Sequence, residues 1–223
     1  MTTSLFQAVN RYAEAHARQG GVVQTPIPGL STVRATEPSG LLHAIAQPLV
    51  CLVLQGSKQV AMGAQTYGFS AGESLLITAD VPTVSQITRA SAAATYLSIA
   101  LEVSLPLIAD LSAQMEAVPG GDHAPVHVDP TDAEVADVAL RLMRLLERPE
   151  AVPLLHASLV RELHYWLLAG RHGAAIRRLG WPGSHAQRVA RAVAVLRTDF
   201  AQPLPVESLA ALAGMSPSSF HQH

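Results

Sequence analysis

Short apolar segments alternate with turn residues from Val22 to Leu101, and this pattern leaves few folds open. Each segment is too short for a typical helix, and each is bounded by glycine, proline, serine or aspartate, as β-strands usually are. Strands that recur at a spacing of about ten residues predict an antiparallel β-barrel or a two-sheet jelly roll. The predicted strands are Thr32–Ala35, Leu41–Ala46, Leu49–Gln55, Gln59–Met62, Gln65–Phe69, Ser74–Thr78, Val84–Arg89 and Thr95–Leu101.

One of these strands, Leu49–Gln55, is apolar at almost every position. A strand with one face in water alternates apolar and polar residues, so this strand is predicted to be buried on both faces. We therefore expect its outer face to be covered by a helix or by a second subunit.

Four helices are predicted around the strands. Capping boxes at Ser4 and at Thr131 predict where two of them begin, and Pro153 fits the first helical position of the longest. The segment 119–130, which contains His123 and His127, is predicted to be a loop. The predicted helices run from Leu5 to about Arg18, from Leu105 to Val118, from Asp132 to about Arg148, and onward from Pro153.

The last twenty residues have the pattern of two short helices. Val206–Ala213 is rich in alanine and leucine, Gly214 can adopt the positive φ of a helix C-cap, and Ser216 with Pro217 fits the start of another helix. Helix, tight turn and helix form the layout of a DNA-reading helix-turn-helix. An ordinary helical hairpin has the same spacing, and the pattern alone leaves both open.

Three stretches resemble the AraC/XylS family of bacterial transcription regulators. Arg188–His223 resembles the opening of the family's DNA-binding domain, although Pro205 stands where the family usually has a capping serine or threonine. Residues 49–82 (LVCLVLQGSKQVAMGAQTYGFSAGESLLITADVP) and 161–173 (RELHYWLLAGRHG) resemble the N-terminal sensing domain of one subgroup. Because the match ends inside the first recognition helix, we expect this sequence to be a piece of a longer regulator.

The resemblance implies an α+β chain with a cupin-like antiparallel β-barrel (jelly roll), a helical dimerisation region and a partial all-α helix-turn-helix subdomain. We expect an N-terminal helix in residues 1–20, the barrel in 21–128, the dimerisation helices in 129–180 and the truncated DNA-binding domain in 181–223. The implied partners are DNA, a small organic effector and a second copy of the chain, with no membrane and no cofactor.

The resemblance also implies three sets of functional residues. The expected effector pocket in the barrel uses His43, Cys51, Val53, Met62 and Tyr67. The expected dimerisation residues are Leu142, Leu145, Leu155, Leu159 and Trp166. The expected DNA-facing residues are Ser216, Ser218, Ser219, His221 and Gln222.

This sequence contains few candidate residues for catalysis or for metal binding. His43 is the only histidine in the predicted barrel strands, whereas a cupin metal centre needs several histidine and glutamate ligands on neighbouring strands. His123 and His127 provide only two ligands, which do not make a zinc site. The alternative function is a metal-independent cupin enzyme acting on a small polar metabolite, with His43 and Glu73 as its acid/base pair.

The single cysteine and the charge distribution indicate the cellular compartment and the type of partner. Cys51 excludes an intrachain disulfide, fits a reducing cytoplasm, and is expected to be inert unless a cation such as Lys58 lowers its pKa. No signal segment and no apolar run of about 20 residues is present. Residues 1–150 carry 8 Lys and Arg against 14 Asp and Glu, and residues 151–223 carry 7 against 3. An acidic front and a basic rear fit a sensing domain joined to a DNA-facing one.

Overall fold

The computed structural model describes residues 4–16, 21–115, 124–180, 195, 205–212 and 214. The helices in this part of the chain are α1 (Leu5–Ala15), α2 (Leu105–Gln114), α3 (Ala133–Leu145), α4 (Val152–Ala169), α5 (Gly173–Leu179) and α6 (Val206–Leu212). The strands are β1 (Val22–Gln24), β2 (Leu30–Ala35), β3 (Leu42–Ala46), β4 (Leu49–Gln55), β5 (Ser57–Met62), β6 (Gln65–Ser70), β7 (Glu73–Ile77), β8 (Val81–Arg89), β9 (Tyr96–Glu102) and β10 (Val126–Pro130).

The strands form two sheets in which every neighbouring pair is antiparallel. The larger sheet has the order β1-β2-β9-β4-β7-β10, and the smaller has the order β3-β8-β5-β6. Their facing sides enclose one apolar core, to which β4, β7 and β9 contribute from one sheet and β5, β6 and β8 from the other. The predicted two-sheet, cupin-like architecture is therefore confirmed.

Strand β4 is covered on both faces, as its sequence predicts. Cys51 and Val53 point into the core between the sheets, whereas Val50 and Leu52 belong to a second core on the outer side of the larger sheet. This second core is completed by helices of the same chain, including α1, α3 and α4. The outer face of β4 was expected to be covered by a helix or by a second subunit. In the structure, helices of the same chain cover it.

The helices are fastened to each other by a few polar contacts. Arg141 on α3 donates two hydrogen bonds to the Glu162 carboxylate on α4, at 2.8 and 2.5 Å. His164 on α4 is fully buried and accepts a hydrogen bond from the backbone N–H of Ser104 at 2.9 Å, while its Nδ1 lies 2.7 Å from the Val160 carbonyl oxygen. Because Nε2 accepts, Nδ1 carries the proton. Burial lowers the pKa of His164, which keeps the ring neutral.

The structure corrects three local predictions. Part of the expected loop 119–130 is strand β10, which pairs with β7, forms the edge of the larger sheet and crosses the expected boundary at residue 128. Asp132, not Thr131, caps α3, because its carboxylate accepts hydrogen bonds from two backbone N–H groups of the first turn. Strand β1 was not predicted, because its three residues are too few to form a recognisable pattern.

The C-terminal part contains the first of the two expected short helices. Helix α6 forms although Pro205 cannot cap it with a side chain, and Leu209 and Ala210 are buried. Gly214 has a φ of +62°, as expected of a residue that ends a helix. No helix in the described ranges is long and apolar enough to cross a bilayer.

The double-sided burial of the larger sheet generates a stability prediction. Leu142 on α3 is fully buried in the helix-side core, so Leu142→Ala leaves a cavity and should lower the free energy of unfolding by about 2–5 kcal/mol. Leu41 is 62% exposed, and Leu41→Ala, as the matched control, should change it by less than about 0.5 kcal/mol. Urea unfolding measures both; equal effects would contradict the assignment of Leu142 to the core.

Candidate functional site

A small polar cluster lies in the apolar core between the sheets. Tyr96 and Ser98 are fully buried on β9 and face the same side as Cys51 on β4, since Ser98 pairs with Val53 and Ala100 pairs with Cys51. Side-chain hydrogen bonds within the cluster influence the pKa of Cys51 and of Tyr96, although neither hydroxyl meets strict hydrogen-bond geometry with the described part of the chain. Buried hydroxyls are normally hydrogen-bonded, because leaving one unpaired costs about 1–3 kcal/mol. The cluster is therefore a polar site with weak internal hydrogen bonds inside an apolar core.

The thiol in this cluster is held in its protonated form by burial. Burial raises the pKa of Cys51, and this effect outweighs the opposing influence of the Lys58 charge and of the neighbouring hydroxyls of Ser98 and Tyr96. Burial likewise raises the pKa of Tyr96. Both groups are therefore neutral near pH 7 and can take part in hydrogen bonds, but they carry no charge.

Lys58 brings a positive charge to the inner side of the smaller sheet. It pairs directly with Phe69 on β6 and with Ile87 on β8, and both of these residues belong to the core between the sheets. Side chains of directly paired residues lie on the same face of a sheet, so Lys58 is also on the inner face. Its side chain is half-buried, and it has no ion-pair partner among the described residues.

A cavity of about 380 Å³ opens at the edge of the sandwich, between α1, the strands β1 and β2, and Ile87 of β8. Two of its lining residues, Ala35 and Ile87, are the direct cross-strand neighbours of Tyr96 and Lys58 respectively. The connection between β2 and β3 forms its rim. Ser39 fastens that rim to β8, because its hydroxyl accepts a hydrogen bond from the Ile87 N–H at 2.9 Å. The cavity therefore lies one strand away from Tyr96 and Lys58, and no residue of the polar cluster is among its lining residues.

Backbone geometry at Gly56 keeps the neighbouring turn close to Tyr96. Its φ is +79°, and a Cβ atom there would lie 2.4 Å from the Arg89 carbonyl oxygen and 3.0 Å from the Tyr96 Cα. Only glycine fits such a position without displacing backbone. The turn between β4 and β5 therefore packs directly against the strand that carries the cluster.

Four of the five residues expected to form the effector pocket face the core between the sheets. Cys51 and Val53 are buried, and Met62 and Tyr67 pack against the same core while remaining partly accessible. His43 does not join them. It is exposed on β3 and pairs with Val84, on the outer face of the smaller sheet.

The acid/base pair of the alternative enzyme is not assembled. His43 lies on the outer face, and the Glu73 carboxylate accepts hydrogen bonds from the backbone N–H and the hydroxyl of Ser70, at 2.8 and 2.9 Å. Glu73 therefore closes the turn between β6 and β7. Its position gives it a structural role in that turn.

Sequence reasoning missed Tyr96, Ser98 and the inward orientation of Lys58. The strand containing Tyr96 and Ser98 was predicted, and its alternation of Leu97, Ile99 and Leu101 with smaller or polar residues was visible. Which of its faces meets the other sheet depends on its pairing with β4, which no local pattern specifies.

A second cavity, of about 100 Å³, lies on the opposite side of the larger sheet, beneath α3, α4 and α5. At its polar end, the Asp129 carboxylate of β10 is contacted by Arg171 and by His172 Nε2, the latter at 2.5 Å. The His127 ring stacks on His172 with the ring centroids 4.0 Å apart. These contacts tie β10 to the turn between α4 and α5.

The histidines of the expected loop have different outcomes. His127 is buried in β10 and contributes to the second cavity, whereas His123 lies outside the described residues. Within the described ranges, no three His, Cys, Asp or Glu side chains are arranged to hold a metal ion.

Two of the expected dimerisation residues cannot form a surface. Leu142 and Leu145 are buried against the other helices of the same chain, because α3 is the inner helix of the layer. Leu159 and Trp166 are partly buried against that same core. Leu155 is 52% exposed, and its neighbour Leu154 is 77% exposed. The expected DNA-facing residues Ser216, Ser218, Ser219, His221 and Gln222 all lie outside the described part of the chain.

Similarity to known proteins agrees with this architecture. The family model for the AraC-type transcriptional regulator N-terminus matches residues 26–175. A ToxT variant from Vibrio cholerae, solved without ligand, has a TM-score of 0.50 at 6% identity, covering 89% of this chain and 93% of that one. The AraC-like transcriptional activator CuxR has a TM-score of 0.45 at 15% identity, covering 88% and 70%.

A cupin-2 domain containing protein from Shewanella frigidimarina has a TM-score of 0.31 at 14% identity, covering 42% of this chain and 91% of that one. No curated protein sequence matches this chain. The fold is that of a cupin-like sandwich with an added helical layer, and the family match spans well over half of the sequence. The chain belongs to the AraC-type transcriptional regulators and contains their N-terminal domain.

The Asp129 contacts generate a pH prediction. Burial by itself raises the pKa of Asp129, but the hydrogen bond and charge of His172, together with Arg171, outweigh it, so the pKa is lowered. A lowered carboxyl pKa stabilises the fold above the ordinary value near 4, and this contribution is lost as the pH falls through the folded-state pKa.

Asp129→Asn should therefore lower the free energy of unfolding at pH 7, and the deficit should shrink below about pH 4. Urea unfolding from pH 7 downwards measures it. Asp137→Asn, which alters an exposed carboxylate paired with Arg141, is the control and should show a smaller effect. A deficit at Asp129 that stays constant at all pH values would contradict the prediction.

Proposed function

We propose that this domain is the sensing part of a ligand-responsive transcriptional regulator and that its effector binds between the two sheets. The observation that carries the proposal is the buried polar cluster of Cys51, Tyr96 and Ser98 in an otherwise apolar core, next to the cavity at the sandwich edge. Mostly apolar walls with a few directed polar groups are typical of small-molecule sites.

The strands that carry this cluster also carry the helix layer. Cys51 faces the proposed effector site, and its neighbours Val50 and Leu52 contact the helix-side core. Packed cores transmit small shifts, because their side chains leave no room to absorb them. An effector that favours one position of β4 and β9 therefore also favours one arrangement of the helices.

In the whole regulator, the helices would pass this change to the DNA reader. Helix α6, with Gly214 after it, agrees with the first half of the expected helix-turn-helix. The residues proposed to face DNA are Ser216, Ser218, Ser219, His221 and Gln222. Membership of a regulator family supports a non-catalytic role for the sandwich.

The effector prediction is tested by a thermal-shift screen of small aldehydes, alcohols, aromatics, sugars and acids. A ligand that binds only the folded chain should raise its melting temperature, because binding adds to the free energy of unfolding. Tyr96→Phe and Ser98→Ala should reduce the shift at least several-fold, whereas His43→Ala, on the outer face, should leave it unchanged. A ligand-induced rise in melting temperature that is unchanged in both Tyr96→Phe and Ser98→Ala would contradict an effector site between the sheets.

We also propose that the chain pairs with a second copy through the exposed side of α4. Leu154, Leu155 and Tyr165 are large apolar residues that this helix leaves in contact with water. A two-fold interface brings the same patch of both copies together, and an exposed apolar patch favours such pairing. Leu155 is the member of the expected dimerisation set that remains available for it.

Leu154→Glu together with Leu155→Glu should convert a dimer into a monomer, because four carboxylates would meet at the two-fold axis. Size-exclusion chromatography with light scattering measures the mass. Leu41→Glu, which changes an equally exposed leucine elsewhere, is the control and should remain dimeric. A wild-type chain that is monomeric at tens of micromolar would refute the interface.

A further inference from the structure

We propose that His164 is an acid-sensitive switch, which fastens the junction between β9 and α2 to α4 at neutral pH and releases it when the imidazole ring takes up a proton. This inference concerns the helix layer and goes beyond the effector site proposed above. It gives the domain a second input, acidity, on the outer side of the larger sheet.

The chain holds the ring of His164 at both nitrogens. The ring is fully buried, its Nε2 accepts a hydrogen bond from the Ser104 N–H at 2.9 Å, and its Nδ1–H donates to the Val160 carbonyl oxygen at 2.7 Å. This pattern needs the neutral tautomer, because a protonated ring has two donors and no acceptor. A proton added at Nε2 would therefore oppose the Ser104 N–H and break the bond between the two elements.

Burial makes the charged ring unfavourable while the junction is closed. Helices α2 and α4 meet in the helix-side core, to which Ile108, Leu163 and Leu168 belong. Burial lowers the pKa of His164, and the hydrogen bond to the Val160 carbonyl opposes that effect. Opening the junction returns the ring to water, where it binds a proton more readily, so acid favours the open state.

Charged side chains border the junction but do not bond to the ring nitrogens of His164. Arg161 of α4 pairs with Asp110 of α2, and Arg141 of α3 pairs with Glu162 of α4. The end of β9 and helix α5 add three more charged residues, Glu102, Arg177 and Arg178. Because both ring nitrogens are bonded to backbone atoms, none of these carboxylates is in position to stabilise an imidazolium by a hydrogen bond.

The bond from Ser104 lies where the larger sheet passes into the helix layer. Ser104 follows the end of β9 and is the N-cap of α2, and its own side chain makes no capping hydrogen bond. The preceding residue, Val103, donates its N–H to the Pro48 carbonyl at 2.8 Å, just before β4. The His164 ring therefore ties α4 to the short connection between the central strands and α2.

Movement of α2 would reach the end of the helix layer. Helix α2 packs against both α4 and α5. At the end of α5, a Cβ atom on Gly180 would lie 2.9 Å from the Ala109 backbone nitrogen of α2, so the two backbones are in close contact. The chain continues from there towards the expected DNA-binding part, and the switch is thus placed between the sandwich and that part.

The direction of the pH effect follows from the lowered pKa. The bond contributes fully above the ordinary histidine value near 6.5 and is lost as the pH falls through the lower value of the closed state. This range lies above the one in which Asp129 acts, near pH 4 and below. The two groups can therefore be distinguished by pH as well as by substitution.

Hydrogen exchange of the 223-residue chain without ligand tests the switch. Between pH 7 and pH 5 the amides of α2 should lose roughly 10-fold in protection, whereas those of β4, β7 and β9 should keep theirs. His164→Gln can accept from the Ser104 N–H but cannot take up a proton, so it should abolish the loss. Variants are compared at the same pH, which cancels the intrinsic exchange rate.

His43→Gln is the matched control, because it makes the same substitution at an exposed histidine on β3. It should show the same loss of α2 protection as the wild type. If α2 loses protection equally in His164→Gln, or if the central strands lose theirs together with α2, the switch is refuted.

The wild-type ring provides a second readout, which does not depend on the folding of a variant. Long-range ¹H–¹⁵N spectra distinguish the Nδ1–H tautomer of a neutral histidine from the imidazolium. The buried ring should be the Nδ1–H tautomer at pH 7 and should become charged over the range in which α2 opens. A ring that stays neutral while α2 opens would overturn the proposal, whereas failure of the effector screen would leave it intact.

Discussion

The burial of the larger sheet on both faces is the constraint on which the rest of this domain depends. Strands β4, β7 and β9 place one set of side chains between the sheets and the alternate set beneath the helices. A strand so placed cannot slip by one residue, because every side chain would exchange one core for the other. The helices must therefore pack on one side and the smaller sheet on the other. Both cavities described above lie against this shared sheet.

This arrangement explains how a small sandwich can serve a regulator. On the inner side, the polar cluster on β4 and β9 interrupts an apolar core, and on the outer side the same strands support helices tied together by ion pairs and by the buried His164. The Asp129 contacts add a connection from β10 to the end of α4. A change on the inner side is thus one residue away, along β4, from the helix layer.

The inner core combines features that structural stability alone does not favour. Two buried hydroxyls without a partner of ordinary geometry and a half-buried lysine each cost stability where aliphatic side chains would pack better. Proteins commonly accept such costs at functional sites, and the proposed effector site contains these groups. The neutral thiol of Cys51 belongs to the same cluster, but burial removes the thiolate character that a reactive cysteine needs.

Local sequence determined much of this architecture. Turn residues and short apolar runs specified eight of the strands, the capping box at Ser4 specified α1, and the unbroken apolar run of β4 specified its two covers. Gly214 and the pattern around α6 were equally readable, because a helix end has chemical requirements of its own. Tertiary structure decided the rest. Strand β10 exists because it pairs with β7, Leu142 faces inward because α4 covers α3, and His43 points outward because of the register between β3 and β8. Tyr96 and Ser98 lie beside Cys51 only once β9 has paired with β4, and Lys58 faces them from the other sheet. These are contacts between residues far apart in the chain, so no local pattern can carry the information.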